Sequence, residues 1–235
     1  MGRFQWLFFD LFDTLCALDE SLYFEGKHKA AEAAGLPFDA FMAAWRDTAK
    51  RAGTGLLKDP FERASEALKA CGVEERSAVM EVARLDIDTI QRSVSYYPGA
   101  AEALGALRGL GFRLGLISNA TATTAFIIRP LHLRDRLDLL VFSYEEGVAK
   151  PDPEIFRRAL SRAGCPEDRA LFIGDGANGE LDAAAGLGMA TLRLDHAKKA
   201  ETFRDPGRLS GPGHRCVTSF NELMALPDLQ EPASG

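Results

Sequence analysis

Little in this 235-residue chain points to cross-linking, sulfur or histidine metal clusters, membrane burial or polyanion binding. The four cysteines, Cys16, Cys71, Cys165 and Cys216, share no close spacing, so neither a zinc ribbon nor a redox pair can be drawn from them, and reduced thiols are expected. The four histidines (His28, His132, His196 and His214) are equally scattered, which leaves a histidine-centred mechanism without a pattern. No apolar run approaches the roughly 18–20 residues of a membrane span. The opening apolar stretch Leu7-Phe8-Phe9 is cut by Asp10 and fits no signal peptide. There is no basic block, and Asp plus Glu (34) outnumber Lys plus Arg (28), which argues against nucleic acid or an anionic membrane surface as partner. These absences predict a cytoplasmic protein acting on a small molecule. An anionic substrate fits if the site carries its own cations, and the oligomeric state, monomer or homodimer, is left open.

What is present is an ordinary globular composition, 46% hydrophobic and 26% charged, with enough chain for one large domain or a domain carrying an insert. Leu7-Phe8-Phe9 reads as a short buried strand. From about Ser21 to Ser93 the apolar residues fall at helical spacing, Phe38, Phe41, Met42 and Trp45 among them, and the pattern predicts four helices and no strand. After Tyr97-Pro98-Gly99 the rhythm changes to strand–helix alternation. Strands are expected at 112–117, 139–142, 170–173 and 190–194, with helices at 100–109, 153–163 and 180–187. Repeated βα units imply a parallel sheet covered on both faces. Loop is expected from Asp205 to Gly213, and a frayed end from Glu231 onward. The chain is therefore read as α/β, with a Rossmann-like core formed by residues 1–16 and 95–235 and a helical-bundle cap formed by residues 17–94. An insert at the carboxyl end of a parallel strand lies over the crevice where such sheets bind ligands.

Polar groups follow four of the predicted strands: Asp10, Ser118-Asn119, Lys150 and Asp175. Parallel strands end on one side, so these groups can converge on a bound anion. A carboxylate approaching a phosphate dianion meets repulsion of about 4 kcal/mol per unit pair at ~4 Å and an effective dielectric near 20. Lys150 and a divalent cation held by Asp10 and Asp175 would offset it. Oxygen donors suit magnesium.

In these motifs the sequence resembles the haloacid dehalogenase-like hydrolases. They run, in that family's order, as Phe9-Asp10-Leu11-Phe12-Asp13-Thr14-Leu15, Leu116-Ile117-Ser118-Asn119, Lys150-Pro151-Asp152-Pro153 and Phe172-Ile173-Gly174-Asp175-Gly176-Ala177-Asn178-Gly179-Glu180. The resemblance implies that Asp10 forms a covalent aspartyl intermediate. Ser118 and the Asn119 amide would hold the transferred group, Lys150 would orient and neutralise it, and Phe12 would border the substrate. Asp10, Asp175, the main-chain carbonyl of Phe12 and Glu180, directly or through water, would hold Mg2+.

Two positions depart from the phosphatases of that family. Phe12 stands where a second Asp usually serves as general acid, and Asp13 is one step too far along an extended segment. Such assistance is typically worth about 10²–10⁴ in rate, so slow turnover, good leaving groups or a donor from the cap are expected. Glu180 stands where Asp is more frequent. The dehalogenating branch also lacks the second Asp, which makes a 2-haloacid hydrolase the runner-up, with a catalytically weak or binding member as the remaining alternative. Against it stands the acidic cluster, since extra carboxylates beside an attacking one raise its pKa.

Other signals have plainer readings. Gly174-Asp175-Gly176-Ala177-Asn178-Gly179 spells a dinucleotide fingerprint, but too little chain follows it for both halves of that fold. Ala177 stands where a calcium loop needs an oxygen ligand. Phe38, Phe41, Met42 and Trp45 are read as cap core, and Arg46, Lys50, Arg51, Lys58 and Arg63 as a solvated face.

Overall fold

The computed structural model describes residues 3–197 and 209–233. Its centre is the strand β1 (Trp6–Phe9), every residue of which is buried, as a continuous apolar run between two covered faces requires. β1 pairs in parallel with β4 (Arg113–Ser118) on one side and β6 (Ala170–Gly174) on the other. β5 (Leu139–Phe142) extends the sheet beyond β4, and β7 (Ala190–Leu194) and β8 (Arg215–Val217) extend it beyond β6, giving the order β5-β4-β1-β6-β7-β8. The chain therefore reverses its direction of strand addition beside β1, and the crevice outside the carboxyl ends at such a switch point is where open α/β sheets take ligands.

Helices cover both faces. On one side α6 (Ala100–Gly109) and α12 (Phe220–Met224) bury Leu104, Leu107, Phe220 and Leu223 against a cluster that includes Leu7, Phe9 and Leu116. On the other, α10 (Pro153–Ala163) and α11 (Glu180–Gly186) bury Ile155, Phe156, Leu181 and Ala184 with Phe8, Ile117 and Phe172. The start of α10 is written locally: Pro153 occupies its first turn, and the Asp152 carboxylate accepts the Glu154 amide at 2.9 Å. Among the described residues no helix is long and apolar enough to cross a membrane.

Between β1 and β4 the chain makes a helical excursion. It holds α1 (Glu20–Ala33), α2 (Phe38–Asp47), α3 (Ala49–Gly53), α4 (Pro60–Lys69) and α5 (Arg76–Ser93), five helices where the apolar pattern predicts four. The additional one, α3, is a five-residue piece with a single buried residue, Ala52, and so leaves almost no periodic trace. Phe41, Met42 and Trp45 do form the core of this unit, with Phe38 at its edge stacked on His28. The excursion also contains what its helical pattern hides. β2 (Cys16–Leu18) and β3 (Val94–Tyr96) pair antiparallel at its two ends, and the Asp19 amide donates to the Ser93 carbonyl at 2.7 Å.

Two further expectations change. β8 adds an edge strand that the sequence did not signal. Residues 231–233 are not frayed: the Ala233 amide donates to the Phe4 carbonyl at 2.7 Å, and Ala233 is buried. In the expected loop from Asp205 to Gly213, residues 205–208 lie outside the described residues, and 209–213 carry neither helix nor strand.

Candidate active site

Asp10 is the first residue past β1. Its amide donates to the Ile173 carbonyl of β6 at 2.9 Å, so β1 and β6 keep their ladder up to the carboxylate. Ser118 closes β4 with no exposed surface, Asp175 directly follows β6, and Glu180 opens α11. The strand ends thus bring Asp10, Asp175 and Glu180 together, with ligand oxygens within 4.8 Å of one another, and all three are buried. Lys150 reaches the group from the loop before α10. Its Nζ lies 2.5 Å from Asp10 Oδ1 and 2.5 Å from Glu180 Oε2, with the side chain 3% exposed.

The clustered charges act on one another. Burial raises the pKa of Asp10, Lys150 opposes this, and Asp175 adds to it. Burial likewise pushes Glu180 up to about 8, with Lys150 opposing and the Asp10 and Asp175 charges contributing. Burial pulls Lys150 down, but Asp10 and Glu180 outweigh it and hold the ammonium protonated. Three carboxylate side chains thus converge on one spot, and Lys150 pairs with two of them. Such a set of buried hard oxygen donors fits a divalent cation such as magnesium.

The loop after β6 is built for this crowding. A Cβ on Gly174 would stand 2.1 Å from Glu180 Oε1, so only glycine lets that carboxylate in. Gly176 has φ 85°, which glycine adopts without strain. The Gly176 amide donates to Glu180 Oε1 at 3.2 Å, and the Ala177 amide donates to Asp175 Oδ1 at 2.9 Å. A dinucleotide loop offers its amides to a pyrophosphate; here two of them bond the loop's own carboxylates.

Asn119 has a role that its sequence position does not announce. Its side-chain Oδ1 accepts the Lys150 amide at 2.8 Å, and its Nδ2 donates to the Lys150 carbonyl at 2.9 Å. This reciprocal pair ties the loop after β4 to the main chain that carries the ammonium. Among the described residues the Ser118 hydroxyl reaches only the Asn119 carbonyl, at 3.4 Å, long for such a bond. The Phe12 ring is half-buried against the apolar cluster on the α6 side of the sheet. Asp13 is outside the carboxylate group, and its Oδ1 accepts the Tyr97 hydroxyl at 3.2 Å.

Above the site, the helical excursion touches the loop after β4. Thr123 Oγ1 donates to Asp86 Oδ2 of α5 at 2.7 Å, and the other oxygen of Asp86 pairs with Lys27 of α1, itself buried. Burial alone would raise Asp86, but Lys27 and Arg63 hold it below the ordinary carboxylate range. Arg46, Lys50, Arg51 and Lys58 are exposed as expected, whereas Arg63 is half-buried, 4.3 Å from the Trp45 ring, with Nε donating to Thr48 Oγ1 at 3.0 Å.

The chain is 40% identical over 108 residues to the pyrimidine 5′-nucleotidase YjjG of Escherichia coli, a match covering 44% of this chain and 48% of that protein. It is 35% identical over 103 residues to a glyceraldehyde 3-phosphate phosphatase of Pyrococcus abyssi, covering 43% of each. The chain spans about half the length of these curated relatives. Its fold is that of a 2-haloacid dehalogenase from Pseudomonas syringae pv. tomato (TM-score 0.70, 21% identity, 96% of this chain and 97% of that one). It is also that of a family enzyme from Bacteroides thetaiotaomicron solved with magnesium and inorganic phosphate (TM-score 0.65, 20% identity, 86% of this chain and 100% of that one). Residues 4–188 match the haloacid dehalogenase-like hydrolases as a family, and the chain belongs to that family of hydrolases.

Proposed function

We propose that the protein hydrolyses small phosphorylated metabolites with magnesium, through an aspartyl-phosphate at Asp10. The observation that carries this reading is the buried group Asp10, Asp175 and Glu180, with Lys150 paired to Asp10 and Glu180. Halide leaves carbon without a proton and without a metal, so a dehalogenating site gains nothing from two further carboxylates beside the attacking one, which raise its pKa. Asp10, Asp175 and Glu180, with the main-chain carbonyl of Phe12, would hold the cation, which when bound neutralises phosphoryl oxygens.

The chain's own groups divide the remaining work. Asp10 sits just past the carboxyl end of the central strand, held by the sheet for in-line attack on phosphorus. Lys150 holds Asp10 Oδ1 at 2.5 Å, which fixes the carboxylate and offsets its repulsion by an incoming dianion. The Ser118 hydroxyl and the Asn119 amide, one strand over, hold the phosphoryl oxygens. Because the Asn119 side chain clamps the Lys150 main chain, these donors and the ammonium keep their spacing. Phe12 transfers no proton, so the preferred substrates are those whose leaving group needs none, acyl or aryl phosphates. The helical excursion over the crevice, taken as a cap, admits substrate and excludes water. Phosphatase and nucleotidase names among the relatives support a small phosphorylated substrate.

The test is a panel of phosphate esters with magnesium or with EDTA, run beside 2-chloropropionate. Phosphate release that EDTA abolishes is expected. Phe12 is the one observation favouring dehalogenation, and chloride release unaffected by EDTA would replace this reading with that one.

A further inference from the structure

Three of the four residues from Gly176 to Gly179 are left-handed, with φ 85° at Gly176, 56° at Asn178 and 71° at Gly179. Such a turn is not specified by local preference, since two of its residues are glycines that adopt many conformations in the unfolded chain. Its internal bonds use the carboxylates of Asp175 and Glu180, the same groups a cation would claim. The turn therefore needs a tether that does not compete for those oxygens.

Residues 209–214 supply one. The Ser210 amide donates to the Gly176 carbonyl at 2.8 Å, and the Ser210 hydroxyl accepts the Leu181 amide, in the first turn of α11, at 3.1 Å. Ser210 is 6% exposed. Arg193, opposite Gly174 in the β6–β7 register, lies across Gly176 and donates through Nη2 to the Ser210 and Gly211 carbonyls at 2.7 and 2.9 Å. Among the described residues Arg193 forms no ion pair, so its guanidinium is spent on this backbone. Asp182 of α11 fastens the far end, accepting the Gly211 amide at 2.9 Å and lying 2.8 Å from His214 Nε2.

We propose that Ser210 and Arg193 are positioning residues for the cation site, holding Asp175 and Glu180 at ligand spacing through this strap. The inference rests on the magnesium reading above. Partners outside the ligand set typically change metal affinity by 10–100-fold when removed.

The test is calorimetric titration of the full chain with magnesium, alongside thermal unfolding in EDTA. Ser210→Ala and Arg193→Met should each raise the magnesium dissociation constant by about 10-fold. Ser210→Thr, which keeps the hydroxyl, should stay near wild type. A general loss of stability would lower the unfolding temperature in EDTA but leave the folded fraction's dissociation constant unchanged, and that result overturns the proposal. So does wild-type affinity in both variants. If the wild type itself binds no magnesium, the metal reading falls and this inference falls with it, whereas tight wild-type binding with indifferent variants sinks only the inference. Should Arg193→Met fail to fold, Ser210→Ala, a single-hydroxyl change, decides.

Discussion

Replacing Lys150 by Met removes the ammonium that, among the described residues, pairs with both Asp10 and Glu180, and keeps most of the side-chain volume. The site is 3–10% exposed at these side chains, so water cannot take over the role. Breaking a buried ion pair by deleting one partner costs about 3–5 kcal/mol. For a chain of this size that corresponds to a fall in Tm of about 6–20 °C. The pH dependence has a definite sign. Glu180 titrates near 8 in the folded chain against an ordinary 4.5, so between those values the folded state holds a proton that the unfolded state does not. Metal-free stability therefore declines as pH rises through that window. Without Lys150 the carboxylates shift further upward, so the variant recovers on the acid side by taking up protons. Thermal unfolding of both proteins in EDTA at pH 5.5 and pH 8 reads this directly, with the larger deficit at pH 8. A variant within about 2 °C of wild type at pH 8, or a deficit that grows toward acid, would refute the ion pairing described for Lys150.

Asp10→Asn should reduce phosphate release from p-nitrophenyl phosphate to background while the protein still unfolds cooperatively. Phe12→Asp should raise kcat/KM by about 10²–10⁴ for alkyl phosphates but little for p-nitrophenyl phosphate; equal changes on both would show that no proton is missing. Asp86→Asn leaves the buried Lys27 without its counter-ion and should cost about 3–5 kcal/mol in urea unfolding. Because the Asp86 pKa is depressed, its contribution is complete above the unfolded value near 4 and fades as pH falls below it, so the gap between the two proteins should narrow in acid.

The strands that position the site were legible because each is a run of four to six mostly apolar residues whose carboxyl end carries a polar group: Asp10, Ser118 and Asp175 stand where the alternation places them. β8 was not, because Arg-Cys-Val has no such run and becomes a strand only by pairing with β7. Lys27 and Asp86 look like solvated positions on their helices. Their burial depends on a partner 59 residues away, and no local pattern records that separation. Ser210 and Arg193 escaped for the same reason: their bonds to the loop after β6 are set by tertiary contact. The Asn119 side chain escaped differently, since the family resemblance draws attention to its amide and away from its carboxamide.

The two-stranded ribbon Cys16–Leu18 and Val94–Tyr96 has a consequence for how this protein can vary. Residues 19–93 leave and re-enter the core through that one hydrogen-bonded doorway, closed by the Asp19 to Ser93 bond. Insertions, deletions or wholesale exchange of helices beyond that doorway leave the threading of the six-stranded sheet untouched. On the proposed reading, Asp10 and Lys150 can therefore stay fixed while the helices that would cover them drift, so selection for a new substrate acts on one part of the molecule and selection for the chemistry on another.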